Sequence, residues 1–263
     1  MQLKDKVAVV LGASAEGGTG WAIAEALAAQ GAKVVVAARN REGLERLAGR
    51  IGGLAVVCDG GSREDIEKLA IAAVEAYGPI DIAVNSAALP VISLIADITP
   101  EQLQAGAEVN YFGHVWFVRY MTERMRDGGA ITLISSNSTT QPQTPHFAYA
   151  CAKSAMDCLV RYAALEYGAR GIRVNSLLPG PIKSALAAGL FAIPGVEETY
   201  ASHVPLGRIG RPQDYADAVV FLSGPTYVTG VNLPLSGGNH LTGMPRLEDI
   251  PTGQDAYRSE RTA

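Results

Sequence analysis

Short, unbroken apolar runs alternate along this chain with longer stretches whose apolar residues recur every three or four positions. Residues 7–11, 34–37, 54–58, 80–84, 131–135, 174–178 and 231–235 form the short runs and predict strands. They are apolar throughout, as strands covered by helices on both faces must be. Residues 21–30, 41–50, 64–77, 100–126, 148–167 and 212–222 carry the helical period. Asp and Ser at several helix starts, and Gly31, Gly78 and Gly171 at several ends, fit caps. This alternation predicts an α/β fold, a doubly wound parallel sheet of seven strands with helices on both faces. No internal repeat or linker interrupts residues 1–241, which read as one domain. Two segments depart from the pattern. Residues 182–211 follow the sixth strand's C-terminal end, where such sheets bind ligands, and read as a substrate lid. Residues 242–263 are polar, with two prolines and two glycines, and read as a loose tail.

Composition then excludes several classes of function. The chain has 263 residues, 48% of them hydrophobic, which suffices for one α/β core. Its net charge of −4 and lack of a basic run argue against a nucleic-acid partner. The first apolar run is too short for a signal peptide, and no later run reaches membrane-spanning length, so a cytoplasmic protein without a membrane partner is expected. Cys58, Cys151 and Cys158 sit in apolar sequence and read as reduced, packed thiols. His114, His146, His203 and His240 are scattered without metal-ligand spacing, and no metal is expected.

Candidate chemistry centres on Tyr149 and Lys153. Four residues apart on a helix, they share one face. A free phenol has a pKa of about 10, and a lysine charge one turn away stabilises its phenolate. Chance alone supplies roughly 0.2 such pairs in a chain with ten tyrosines, so the surroundings must decide. They include Ser136, thirteen positions upstream at a strand end, whose hydroxyl can hold a carbonyl oxygen beside the phenol. After the first strand, Gly12, Gly17, Gly18 and Gly20 precede a helix, an arrangement that lets backbone approach a pyrophosphate. The second strand ends in Ala38 and Arg39 with no carboxylate for ribose hydroxyls, and a guanidinium suits a 2′-phosphate. NADP(H) is therefore favoured over NAD(H), although Glu16 in the glycine loop opposes a further negative charge.

The glycine loop, Asn85-Ser86-Ala87-Ala88, Asn110, Ser136, Tyr149 with Lys153, and Pro179-Gly180 stand in one order that resembles the classical short-chain dehydrogenase/reductase family over residues 3–241. The resemblance implies a Rossmann-type fold, a homotetramer, and hydride transfer between a nicotinamide and a ketone or secondary alcohol. It implies Tyr149 as general acid or base, and Lys153 as the residue that lowers its pKa and binds the nicotinamide ribose. Ser136 would polarise the substrate oxygen, and Asn110 would anchor a water relay to Lys153. Gly12, Ser14, Gly18 and Gly20 would cradle phosphates, with Arg39 at the 2′-phosphate and Asp59 at the adenine. Asn85 to Ala87 would line the ribose. Pro179, Gly180, Ile182 and Ser184 would hold the carboxamide.

The chain departs from the family pattern in three places. If Gly18 and Gly20 are the later glycines, the loop is two residues longer than usual. Asn85-Ser86-Ala87-Ala88 replaces Asn-Asn-Ala-Gly, and Cys151 stands where a small residue is usual. For the substrate, Ser138 and Gln143 would supply polar contacts. Leu89, Phe147, Leu186, Leu190 and Phe191 would supply an apolar wall, which suits a cyclic or aromatic ketone. A 3-oxoacyl-thioester reductase, an enoyl or enone reductase and a non-catalytic NADP sensor are the alternatives. The last has no need of Asn110, Ser136, Tyr149 and Lys153 together.

Overall fold

The computed structural model describes residues 3–246 and 249–250. Its strands are β1 (Val7–Leu11), β2 (Lys33–Ala38), β3 (Leu54–Val57), β4 (Ile80–Asn85), β5 (Met125–Ile134), β6 (Arg173–Pro179) and β7 (Asn232–Leu235). They form one sheet in the order β3-β2-β1-β4-β5-β6-β7, and every neighbouring pair is parallel. This is a seven-stranded Rossmann-type sheet. The order in which the chain adds strands reverses between β1 and β4, which pair side by side with Leu11 opposite Asn85. The loops leaving these two strands therefore part and open a crevice.

Alternate residues of one strand feed two separate cores. Val9, Leu11, Val35 and Ala37 pack on one face with α3 (Arg63–Tyr77), α5 (Gly113–Glu123) and α6 (Phe147–Tyr167). Ala8, Val10, Val34 and Val36 pack on the other with α1 (Thr19–Ala29), α2 (Arg41–Ile51) and α9 (Pro212–Ser223). Both faces are dry, which is why the strands carry no polar alternation. Each fully buried Leu or Ile contributes roughly 1.5–3 kcal/mol to this arrangement.

Helix starts are set by Asn40, Ser62 and Thr99. Their side chains accept from the backbone amides of Gly43, Asp65 and Gln102. No aspartate caps these three, contrary to the expectation from sequence. Two other boundaries differ from the sequence pattern. The strand expected at 131–135 starts at Met125, because Met125 pairs with Ile80 of β4 before a register shift that passes over Arg126 to Gly129. The single helix expected at 100–126 is split. It comprises α4 (Pro100–Ala107), a π-helical turn at Glu108–Phe112, and α5.

Residues after β6 form a 3-10 turn at Ala185–Ala187, then α7 (Ala188–Phe191) and α8 (Val196–Ser202). Val196, Tyr200 and Ile209 share a small core with Ile250, and Met244 packs against it. The stretch beyond residue 241 was expected to be loose throughout. Instead Thr242 ends α10 (Asn239–Thr242), and Met244 and Ile250 are tied down by apolar contact. Residues 247–248 and 251–263 of that tail, and the Leu186 side chain, lie outside the described residues.

Candidate active site

One cleft of about 600 Å³ occupies the crevice. Its outer end is built from backbone. Gly12 holds a φ of 89°, and a Cβ there would come within 2.6 Å of the Ala87 amide nitrogen. Gly20, in the first turn of α1, presses on the Gly12 carbonyl so closely that any side chain would overlap it. Gly18 is the N-cap of α1, and no side chain caps that helix. The loop therefore runs from Gly12 to Gly18, with Gly20 as the packing glycine, and the α1 amides face the cleft without a competing side chain. These are the features a pyrophosphate needs, so the residues fit a dinucleotide. Gly43, which the sequence reading passed over, packs equally tightly on the Ser14 carbonyl and brings α2 against the loop.

Ser14, Ala38, Arg39 and Asn40 continue the outer wall, and Asp59 and Gly60 close its far side. Arg39 is exposed and has no ion-pair partner among the described residues. Glu16 is turned toward Arg50, at 4.0 Å, so its charge is partly answered. Asp59 accepts from the Gly61 amide at 2.9 Å, which holds the turn after β3.

Ser86 and Ala87 line the cleft, but Asn85 does not. It is fully buried, and its Oδ1 accepts from the Ala87 amide at 3.0 Å. Because Asn85 still belongs to β4, its side chain points into the fold and shapes the turn from beneath. Pro179, Gly180, Ile182 and Ser184 form the opposite wall. Above it the Ala185 amide donates to the Gly17 carbonyl at 3.3 Å, so the lengthened glycine loop touches the segment at 182–211.

Ser136 and Tyr149 meet at the inner end, both lining the cleft. Burial pushes the Tyr149 phenol up to about 12, the Ser136 hydroxyl bonded to it opposes that rise, and the charge of Asp157 adds to it. The expected depression by Lys153 is absent from this arrangement, and that expectation is corrected. Lys153 Nζ lies 5.8 Å from the Tyr149 ring centre and spends its bonds elsewhere. It donates to the Ile134 carbonyl at 2.8 Å and lies 3.3 Å from His114 Nε2. Fully buried, Lys153 is itself pushed down to about 7, with Asp157 opposing the fall.

Asn110 sits in the π-helical turn and is also fully buried. A π-turn widens the helix by one residue, a device that recurs at functional sites. Its side chain grips Leu89, which lines the cleft.

Four substrate expectations change. Ser138 donates from both its amide (3.2 Å) and its hydroxyl (2.9 Å) to Ser136 Oγ, so it braces Ser136. Gln143 donates to the Tyr200 hydroxyl at 2.7 Å, which ties the loop before α6 to α8. Phe147 opens α6 without lining the cleft, and Phe191 packs edge-on against Tyr200. Leu89 is the apolar expectation that the cleft does contain. Cys58 is buried as expected, but Cys151 is exposed, because two positions past Tyr149 a helix has turned to its opposite side. The sequence reading missed Val109, Ile134 and His114. Only the helical period linking Asn110 to His114 gave any signal, since i and i+4 share a face. Among the described residues no His, Cys, Asp or Glu cluster could hold a metal, and no helix is long and apolar enough to cross a membrane.

Known proteins resemble this chain along nearly its whole length. A family model described as Enoyl-(Acyl carrier protein) reductase matches residues 12–240. Versicolorin reductase 1 of Aspergillus parasiticus is 36% identical over 256 residues, covering 90% of this chain and 97% of the relative. A short-chain dehydrogenase/reductase from Serratia marcescens superposes with a TM-score of 0.84 at 31% identity, over 91% of this chain and all of its own. A single-substitution variant of actinorhodin polyketide ketoreductase, solved with NADPH, superposes with a TM-score of 0.82 at 30% identity, over 89% and 97% of the two chains.

Proposed function

Because the chain belongs to the classical short-chain dehydrogenase/reductase family and is therefore an oxidoreductase, we propose that it transfers a hydride between NADP(H) and a ketone or secondary alcohol with an apolar cyclic or aromatic body. The observation that carries this reading is the meeting of the Ser136 and Tyr149 hydroxyls at the inner end of a cleft whose outer end is the glycine loop and Arg39. When bound, the nicotinamide supplies or accepts the hydride. Gly12, Ser14, Gly18 and Gly20 hold the phosphates, Arg39 the 2′-phosphate, and Asp59 the adenine side. Ala87 and Lys153 hold the nicotinamide ribose, and Pro179, Gly180, Ile182 and Ser184 the carboxamide.

Ser136 donates to the substrate oxygen, and Tyr149 delivers its proton to that oxygen during reduction. In this structure the phenol is held protonated, which suits the reductive direction. Asn110 keeps Leu89 against the cleft, and Leu89 with Ile134 forms its apolar wall. Similarity to versicolorin reductase and to an NADPH-bound polyketide ketoreductase supports both the ketone and the phosphate-bearing cofactor. The description of the family model supports a second reading, reduction of a carbon–carbon double bond. Segment 182–211 acts as a lid in this proposal. Exposed Tyr162 and Leu165 on α6 support a homotetramer, which a mass measurement in solution tests.

Parallel titration with NADPH and NADH, followed by nicotinamide fluorescence, tests the cofactor. NADPH should bind more tightly, and Arg39→Ala should erase the difference while leaving NADH binding unchanged. A panel of cyclic and aryl ketones beside the matching enones tests the substrate. NADPH consumed with enones but with no ketone replaces the ketone reading with the second one.

A further inference from the structure

On the buried side of Lys153 lies a histidine for which the oxidoreductase reading has no use. His114 stands in the first turn of α5 and Lys153 in α6, and neither has any exposed surface. Their nitrogens, Nε2 and Nζ, are 3.3 Å apart. The Ile134 carbonyl of β5 takes another ammonium proton at 2.8 Å. An ammonium has three donors and no acceptor, so the contact has one chemical form with charged lysine: Nζ donates and Nε2 accepts. The ring proton then resides on Nδ1, where the Ala87 carbonyl acts on the ring without closing a full hydrogen bond. An imidazolium here would set two cations together in a desolvated space.

We propose that His114 is a positioning residue for Lys153, accepting one ammonium proton as the neutral Nδ1–H tautomer and leaving one donor free to enter the cleft beside Tyr149. The role of that last donor rests on the oxidoreductase reading, but the tautomer does not. Burial drives the imidazole well below its ordinary range, which favours the neutral ring. Asp157 of α6 is the acidic group acting on Lys153, itself held by Ser176 Oγ at 3.2 Å, and Tyr149 is the other titratable neighbour. The β4 turn and β5 present carbonyls, Ala87 and Ile134. An acceptor bonded to an ammonium favours its charged form, so without His114 the charge is lost at lower pH.

Two measurements test this. In the first, the full-length protein is labelled with ¹⁵N-histidine, and His114 is assigned by its loss in His114→Gln. Between about pH 5.5 and 7, where Lys153 carries its charge, the ring should read as the Nδ1–H tautomer without titrating. An Nε2–H tautomer, or an imidazolium, overturns the proposal whether or not the chain is a ketoreductase. In the second, NADPH affinity and reduction of 1-tetralone are followed against pH. The alkaline limb should move down by about one pH unit in His114→Leu, about tenfold at a fixed pH on that limb, and return in His114→Gln. An unmoved limb in a folded His114→Leu also overturns it. If instead Tyr149→Phe keeps its turnover, the oxidoreductase reading has failed, and the tautomer still decides the role of His114.

Discussion

Asn110 holds both polar groups of Leu89. Its Nδ2 donates to the Leu89 carbonyl at 2.8 Å, and its Oδ1 accepts from the Leu89 amide at 3.0 Å. One side chain thereby replaces a strand neighbour for backbone that has just left β4, and the π-turn around Asn110 gives it the reach.

Asn110→Ala should leave the part-buried amide and carbonyl of Leu89 without their side-chain partner. Each such group costs about 1–3 kcal/mol, so a loss of about 2–4 kcal/mol is expected. Thermal melting should fall by roughly 5–12 °C for a domain of this size. A melting point within 2 °C of the parent means that this grip contributes nothing.

Tyr149→Phe removes the proton donor while keeping the ring. Ketone turnover should fall on the order of 10²–10⁴-fold with NADPH affinity little changed. A folded variant that keeps most of its turnover removes Tyr149 from the chemistry.

Lys153 makes stability depend on pH in a defined sense. Its folded value is about 7, below that of an exposed lysine, so the unfolded chain binds more protons between pH 7 and about 10. Stability contributed by this group therefore rises with pH through that window, by about 1 kcal/mol per pH unit. Tyr149, raised to about 12, acts oppositely above pH 10. Urea unfolding of the protein without nucleotide, from pH 7 to 9.5, should show a slope that Lys153→Met flattens. Identical slopes would mean that Lys153 keeps its proton in the folded protein and that burial does not depress it.

Gly20→Ala sets a methyl group into the Gly12 carbonyl and must push α1 off the loop. Overpacking of this kind costs about 1–3 kcal/mol. Nucleotide affinity should fall at least tenfold, because the loop and the α1 amides lose their shared geometry. Calorimetric titration with NADPH checks this, and affinity equal to the parent's would separate Gly20 from the phosphate cradle.

Much of the fold was legible because its physical cause is local. Strands dry on both faces need continuous apolar runs, and helices between them need an apolar stripe, so the order of elements and the parallel sheet followed from pattern alone. The long polar start of β5 did not, because its pairing there, Met125 with Ile80, is made by backbone ahead of a register shift that side-chain polarity does not report. The π-turn was illegible for a similar reason: its residues have ordinary helical propensity, and the contact it serves is with Leu89, twenty-one positions away.

The candidate site divides along the same line. By itself the sequence determined that Tyr149 and Lys153 share a helix face, that a glycine loop follows β1, and that Arg39 stands where a carboxylate is absent. Those are consequences of spacing within one element or one turn. Only the tertiary structure decided which groups each side chain spends its bonds on. It turned Lys153 to Ile134 and His114, Gln143 to Tyr200, and Asn85 inward to Ala87. Helical and strand periods dictate which residues lie side by side within an element, whereas partners 39 or 57 positions apart meet only when the elements carrying them pack.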